Sequence, residues 1–140
     1  MRAVLDNVIF VRALINPYGV CGLVLGELQS RYTIVLSPDI IREIMDVTRR
    51  SSLEEKLGVS GDPPPVDRVL DLIQYAEVVE PEMELNVCRD PKDNKFFECA
   101  VAASADYIVS EERDILDVEE FEGVRTINAA DFVKILREVR

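Results

Sequence analysis

The sequence predicts an α/β domain built on a mainly parallel sheet of about five strands. Three observations carry this. Short apolar, β-branched runs recur between stretches with helical spacing. Helix-start signatures follow several of those runs: Ser37-Pro38, Asp90-Pro91 and Asn128. No repeat, low-complexity tract or linker interrupts the 140 residues, so residues 1–140 read as a single domain.

In chain order, residues 2–9 read as a buried strand ending near Asp6. Asn16-Pro17 breaks the chain, and Gly19 to Ser30 reads as a helix with Leu23, Leu25 and Leu28 apolar. Tyr32 to Leu36 is a second strand. Ser37 caps a helix with proline at its first position and Ile40, Ile41, Ile44 and Val47 inward. Leu53 to Leu57 reads as one short helix, Gly58 to Pro65 as a loop rich in Gly and Pro, and Val66 to Tyr75 as a helix. Glu77 to Val79 is a short strand, and Pro81 to Cys88 a connecting loop. Asp90-Pro91 opens a helix running through Phe96, Phe97, Ala100 and Val101 to Ser104. Tyr107 to Val109 and Val124 to Ile127 are the last strands, with a helical turn at Ile115-Leu116 between them. Asn128 caps a final helix, Ala129 to Val139, burying Phe132, Val133 and Leu136.

Composition narrows the chemistry. There are 16 Lys and Arg against 27 Asp and Glu, a net charge of −11, which repels a polyanion and argues against a broad nucleic-acid groove. A hydrophobic content of 48% supports a folded globule. The chain has no histidine, so hydrolysis would rest on carboxylates, a metal and water. Cys21, Cys88 and Cys99 are odd in number and lack CxxC spacing, and so read as buried free thiols in a reducing cytoplasm. No apolar run is long enough to span a membrane, and a carboxylate comes too early for a signal peptide.

Four acids sit where predicted elements begin or end: Asp6, Glu43, Asp93 and Glu112. In an open parallel sheet, ligands bind at the carboxyl ends of the strands. Carboxylates gathered there suit a hard cation such as Mg²⁺ or Mn²⁺, which prefers oxygen ligands and relieves their repulsion. Such an ion lowers the pKa of a coordinated water and offsets charge on a phosphate, so phosphodiester cleavage is the natural reaction. Each acid also has a plainer reading. Asp90 reads as a helix cap, Asp93 as the far end of a capping box, Glu43 as a solvated helix residue and Asp114 as the cap of a short turn. Asp6 is harder to dismiss, because an acid at the end of a buried strand is costly to desolvate.

Read together, these segments resemble the PIN-domain family of metal-dependent ribonucleases, above all its toxins of toxin–antitoxin pairs. The resemblance spans nearly the whole chain. Ala3-Val4-Leu5-Asp6-Asn7-Val8 resembles the family's apolar strand followed by Asp, Thr, Asn and Val. Ser37-Pro38 with Glu43 resembles the helix that carries the second acid. Asp90-Pro91-Lys92-Asp93-Asn94-Lys95-Phe96-Phe97-Glu98-Cys99-Ala100, continuing to Ala105-Asp106-Tyr107-Ile108-Val109-Ser110, is the closest match and puts Asp93 in the third acidic position. Glu112 takes the fourth, with Asp114 as an additional neighbouring acid.

The resemblance implies a three-layer α/β/α sandwich, one or two Mg²⁺ or Mn²⁺ ions, endonucleolytic cleavage of RNA, a homodimer and a small antitoxin partner. Asp6, Glu43, Asp93 and Glu112 are then the catalytic acids, with Asp6, Asp93 and Glu112 as metal ligands. Asn7, Ser110, Arg12, Arg42 and Arg113 are the expected substrate contacts. Three positions depart from the family's pattern: Val8 replaces Asn, Glu111 replaces Gly and Glu112 replaces Asp. They motivate a second reading, a PIN-like interaction module without catalysis. A phospho-acceptor receiver domain fits less well, since the paired acids of its first strand and its late lysine are missing.

Overall fold

Asp6 ends the first strand and starts the first helix in one step. Its backbone is extended, and its carboxylate accepts from the N–H groups of Val8 and Ile9. Thus β1 (Arg2–Leu5) gives way at once to α1 (Asn7–Ile15). The sequence reading ends the strand near Asp6, as observed, but assigns no helix to the apolar residues that follow. Val8 to Val11 are as apolar and branched as strand residues, and periodicity does not separate a short buried helix from a strand.

The computed structural model describes residues 1–49 and 65–139. After α1 come α2 (Val20–Leu25), a 3₁₀ turn (Gln29–Arg31), β2 (Thr33–Leu36) and α3 (Pro38–Thr48). The helix expected over Gly19 to Ser30 is therefore cut at Gly26, which closes α2 with its N–H on the Gly22 carbonyl. Ser37 caps α3 by accepting from Ile40 N–H at 3.3 Å, as its sequence predicts. The helix expected at Leu53 to Leu57 and most of the Gly58 to Pro65 loop lie outside the described residues.

The second half comprises α4 (Pro65–Ile73), β3 (Glu77–Val78), a 3₁₀ turn (Pro91–Asp93), α5 (Asn94–Ala103) and β4 (Tyr107–Val109). It ends with α6 (Arg113–Leu116), β5 (Glu120–Phe121), β6 (Val124–Ile127) and α7 (Ala129–Glu138). Asp90 caps the 3₁₀ turn through Lys92 N–H, and Asn128 caps α7 through Asp131 N–H.

The sheet has six strands in the order β3-β2-β1-β4-β6-β5. All neighbours are parallel except β5, which runs antiparallel to β6. The count exceeds the expected five by β5, a two-residue edge strand. Because successive connections run outward in one direction from β1 to β3 and then return to β4, right-handed crossovers put their helices on opposite faces. In the packing, α5 lies across β1, β2 and β4, while α2 packs against α1 and α7. Phe96 and Phe97 of α5 and Phe10 and Phe132 on the helices α1 and α7 are fully buried. Tyr32 meets Phe132 edge-on, with centroids 5.0 Å apart, and gives its hydroxyl hydrogen to the Val24 carbonyl. The strand order reverses between β1 and β4. Leu5 pairs with Val109 there, so Asp6 and Ser110 leave the sheet side by side.

Candidate metal centre

The crevice beyond β1 and β4 is built from the buried side outward. Asp6 and Ser110 have no exposed surface. Ser110 donates its hydroxyl hydrogen to Asp6 Oδ2, and Asp6 Oδ1 accepts from Val8 N–H at 2.8 Å and Ile9 N–H at 3.2 Å. The Ser110 oxygen in turn accepts from Glu112 N–H at 2.9 Å, which fixes the chain just past β4. Burial pushes the Asp6 pKa up to about 6, and the negative charge of Glu112 adds to this. The hydrogen bonds from Ser110, Ile9 and Val8 oppose it.

Asp93 lies on the open side of the crevice, where the 3₁₀ turn runs into α5. Its pKa is also pushed up to about 6. Burial is the largest cause, followed by the charges of Asp90, Glu112, Asp114 and Glu43. One oxygen each from Asp90, Asp93 and Asp114 falls within 4.8 Å of the others. Arg89 reaches Asp114 at 2.9 Å and Asp117 at 2.6 Å. Asn94, buried at the start of α5, accepts from Val87 N–H at 2.9 Å and Cys88 N–H at 2.8 Å, so it ties the preceding loop to the helix.

Glu43 completes the ring from α3. Its Oε1 receives the Asn7 amide at 3.4 Å and its Oε2 pairs with Lys95. The carboxylates of Asp93 and Glu112, in contrast, receive no side-chain or backbone hydrogen bond among the described residues. Six acids from four places in the chain thus share one neighbourhood, with Lys95 and Arg89 beside them.

The expected substrate contacts divide. Asn7 is in the crevice, but its amide is turned to Glu43. The Ser110 hydroxyl gives its hydrogen to Asp6. Arg12 is exposed and lines a cleft with Glu111, Asn16 and Cys21. Arg113 is exposed next to Glu112. Arg42 pairs with Asp39 at 3.0 Å and lines a different cleft with Glu80, Glu82 and Glu84, whose walls include none of the four catalytic candidates. Its position does not fit the expected phosphate contact.

Two residues escaped the sequence reading. Lys95 and Asn94 lie in the same segment as Asp93, yet their partners are 52 and 6 to 7 residues away and leave no local spacing signal. Glu111, the departure from the family's glycine, accepts from Ala129 N–H at 3.1 Å and so serves the N-terminus of α7. Cys88 touches the Asp114 carbonyl, and burial with the surrounding acids pushes its thiol up to about 11, so it is no thiolate nucleophile. All three cysteines are buried and free.

The donor set fits Mg²⁺ or Mn²⁺: it is oxygen throughout, one oxygen each of Asp90, Asp93 and Asp114 lies within 4.8 Å of the others, and the Asp93 carboxyl among them has its pKa pushed up to about 6. No described helix is long and apolar enough to cross a membrane.

Residues 2–114 match the sequence profile of the PIN domain. The chain is 28% identical over 133 residues to an uncharacterised protein of Methanocaldococcus jannaschii, covering 91% of this chain and 81% of that one. Its fold is similar to that of VapBC2 from Rickettsia felis, solved bound to a DNA fragment from their promoter. The TM-score is 0.58 at 17% identity, covering 91% of this chain and 98% of that one.

Proposed function

The chain belongs to the PIN-domain family, and we propose that it is a Mg²⁺- or Mn²⁺-dependent endoribonuclease. The observation that carries this is Asp93 placed among Asp90, Asp114, Glu112 and Glu43, with its own carboxylate unpartnered among the described residues and its pKa raised by burial and by these neighbouring charges. Carboxylates so crowded repel one another as anions, and a bound cation relieves that repulsion.

In this reading Asp93, Glu112 and Asp6 hold the metal, with Asp114 and Asp90 beside them. The bound ion supplies a water acidic enough to ionise near neutral pH and offsets charge on the scissile phosphate. Ser110 keeps Asp6 fixed, and through Glu112 N–H it sets the backbone on which Glu112 is mounted. Glu43 lines the centre from α3 with its orientation set by Asn7 and Lys95. Arg12 and Arg113 meet RNA phosphates at the rim. With a net charge of −11 the contact is narrow and weakens steeply with salt.

The same reading makes residues 1–140 one catalytic domain that works in the cytoplasm as a homodimer and is held in check by a small antitoxin protein. The nuclease part is supported by the family's pattern of acids along this chain, and the antitoxin partner by the likeness of the fold to VapBC2. It is tested by incubating mixed single-stranded RNA with wild-type protein and Asp93→Asn in EDTA, Mg²⁺ or Mn²⁺. Cleavage that needs the metal and disappears in the variant is expected. A folded wild-type protein that cleaves none of several RNAs would move the assignment to a non-catalytic interaction module.

A further inference from the structure

We propose that Lys95 takes the place of a second metal ion, making the acidic crevice a one-metal centre. The inference rests on the nuclease reading above and concerns how its charge is balanced.

The six acids do not stand equally open. Among the described residues, Asp93 and Glu112 have unspent carboxylates. Asp114 already faces the Arg89 guanidinium, 2.9 Å away. Glu43 has both oxygens engaged, one by the Asn7 amide and the other by the Lys95 ammonium. Lys95 is held where it is: it stands two residues after Asp93 on the first turn of α5, its side chain is only 23% exposed, and its Nζ lies 5.8 Å from the Phe96 ring centroid.

A Mg²⁺ or Mn²⁺ ion bound to Glu43 would approach an oxygen to about 2.0–2.2 Å. The ammonium on the same carboxylate would then face a divalent charge within a few ångströms, in a half-buried setting where screening is weak. A metal at Glu43 must therefore expel Lys95. A metal at Asp93 and Glu112 need not. Cations of the chain itself thus flank the open carboxylates, the half-buried Lys95 on the α3 side and the exposed Arg89 on the α6 side. Only the middle is left for an ion. Lys95 is a positioning residue in this scheme, since it acts through Glu43.

The test is calorimetric titration of Mn²⁺ into the metal-free full chain. Wild type is expected to bind one ion per chain and Lys95→Met two, because the vacated Glu43 becomes a ligand. Lys95→Arg keeps the charge and keeps one ion, and the double change Lys95→Met with Glu43→Gln returns to one. Circular dichroism checks the fold, and Lys95→Gln serves if Lys95→Met does not fold. Two ions in wild type, or a single ion in a folded Lys95→Met, overturns the role of Lys95 while leaving the metal centre standing. No Mn²⁺ bound by folded wild type overturns the metal centre and this proposal together.

Discussion

Ser110 gives its hydroxyl hydrogen to the Asp6 carboxylate across the ends of β1 and β4, with both side chains fully buried. The contact spans 104 residues of sequence and exists because Leu5 and Val109 are paired in the sheet just before it. The same hydroxyl oxygen receives Glu112 N–H. One small side chain therefore orients a buried acid and the backbone of an exposed one.

Ser110→Ala removes that link. Asp6 loses a donor and Glu112 N–H loses its acceptor, at a cost of about 1–3 kcal/mol for buried polar groups left unpaired. Since the Ser110 bond lowers the Asp6 pKa, the variant raises it further, and the acid limb of any metal-dependent cleavage moves to higher pH. Urea unfolding and a pH–rate profile measure both effects. An unchanged midpoint would show that the hydroxyl bears little of the load.

Asp6 contributes to the pH dependence of the metal-free protein. Its proton leaves near 3.8 in the unfolded chain and near 6 in the folded one. Between those values the folded state holds more protons, so this group's contribution to stability falls as pH rises, by about 3 kcal/mol once pH exceeds 6. Asp6→Asn keeps an acceptor for Val8 and Ile9 N–H and removes the charge. Without metal, the variant should be more stable than wild type at pH 7.5, by at most about 3 kcal/mol, and nearly equal to it at pH 4. With Mn²⁺ the order should reverse as the ligand is lost. Denaturant titrations at the two pH values decide it, and a variant weaker at both would remove the desolvated-charge account.

Glu111→Gly restores the family's residue and discards a helix-terminal partner. The lost bond to Ala129 N–H and the added backbone freedom together cost about 1–2 kcal/mol. Mn²⁺ affinity should hardly change, because Glu111 faces α7 and not Asp93. Thermal melting with and without Mn²⁺ separates the two effects, and a large fall in affinity would place Glu111 in the centre instead.

What the sequence disclosed follows from the range of the interactions. Ser37, Asp90 and Asn128 cap through N–H groups two or three residues on, so their side chains and the prolines beside two of them announce each start. The ends of two continuous apolar runs place Asp6 and Glu112 at the crevice. The α1 helix stayed hidden because its apolar residues suit a strand equally well, and what decides for helix is the Asp6 carboxylate on Val8 and Ile9. Strand β5 is two residues of which Glu120 is exposed. It exists through pairing with β6 across a turn with left-handed Glu122 and Gly123, a partner that no apolar run reveals. Lys95 on Glu43 and Glu111 on Ala129 join charges or dipoles 52 and 18 residues apart. A sequence displays those residues only as ordinary surface charge.

Asn94 holds the acidic loop to the helix that carries Asp93. Its side-chain oxygen accepts two consecutive N–H groups, Val87 and Cys88, which have no strand to bond with. Asn94→Ala strands both donors beside a buried cavity and should cost about 2–4 kcal/mol, or less where water enters to meet them. The loop they anchor leads directly through Arg89 to Asp90, so Mn²⁺ affinity should fall along with stability. Asn94→Asp adds another negative charge beside Asp93 but keeps an acceptor oxygen for both backbone bonds, so it should preserve the loop more fully. Hydrogen exchange reads the mechanism directly. Val87 and Cys88 amides should exchange far faster in Asn94→Ala than in Asn94→Asp, while amides of β1 and β4 keep their protection. Uniform loss of protection across the sheet would mean that Asn94 supports the whole fold and not this loop in particular.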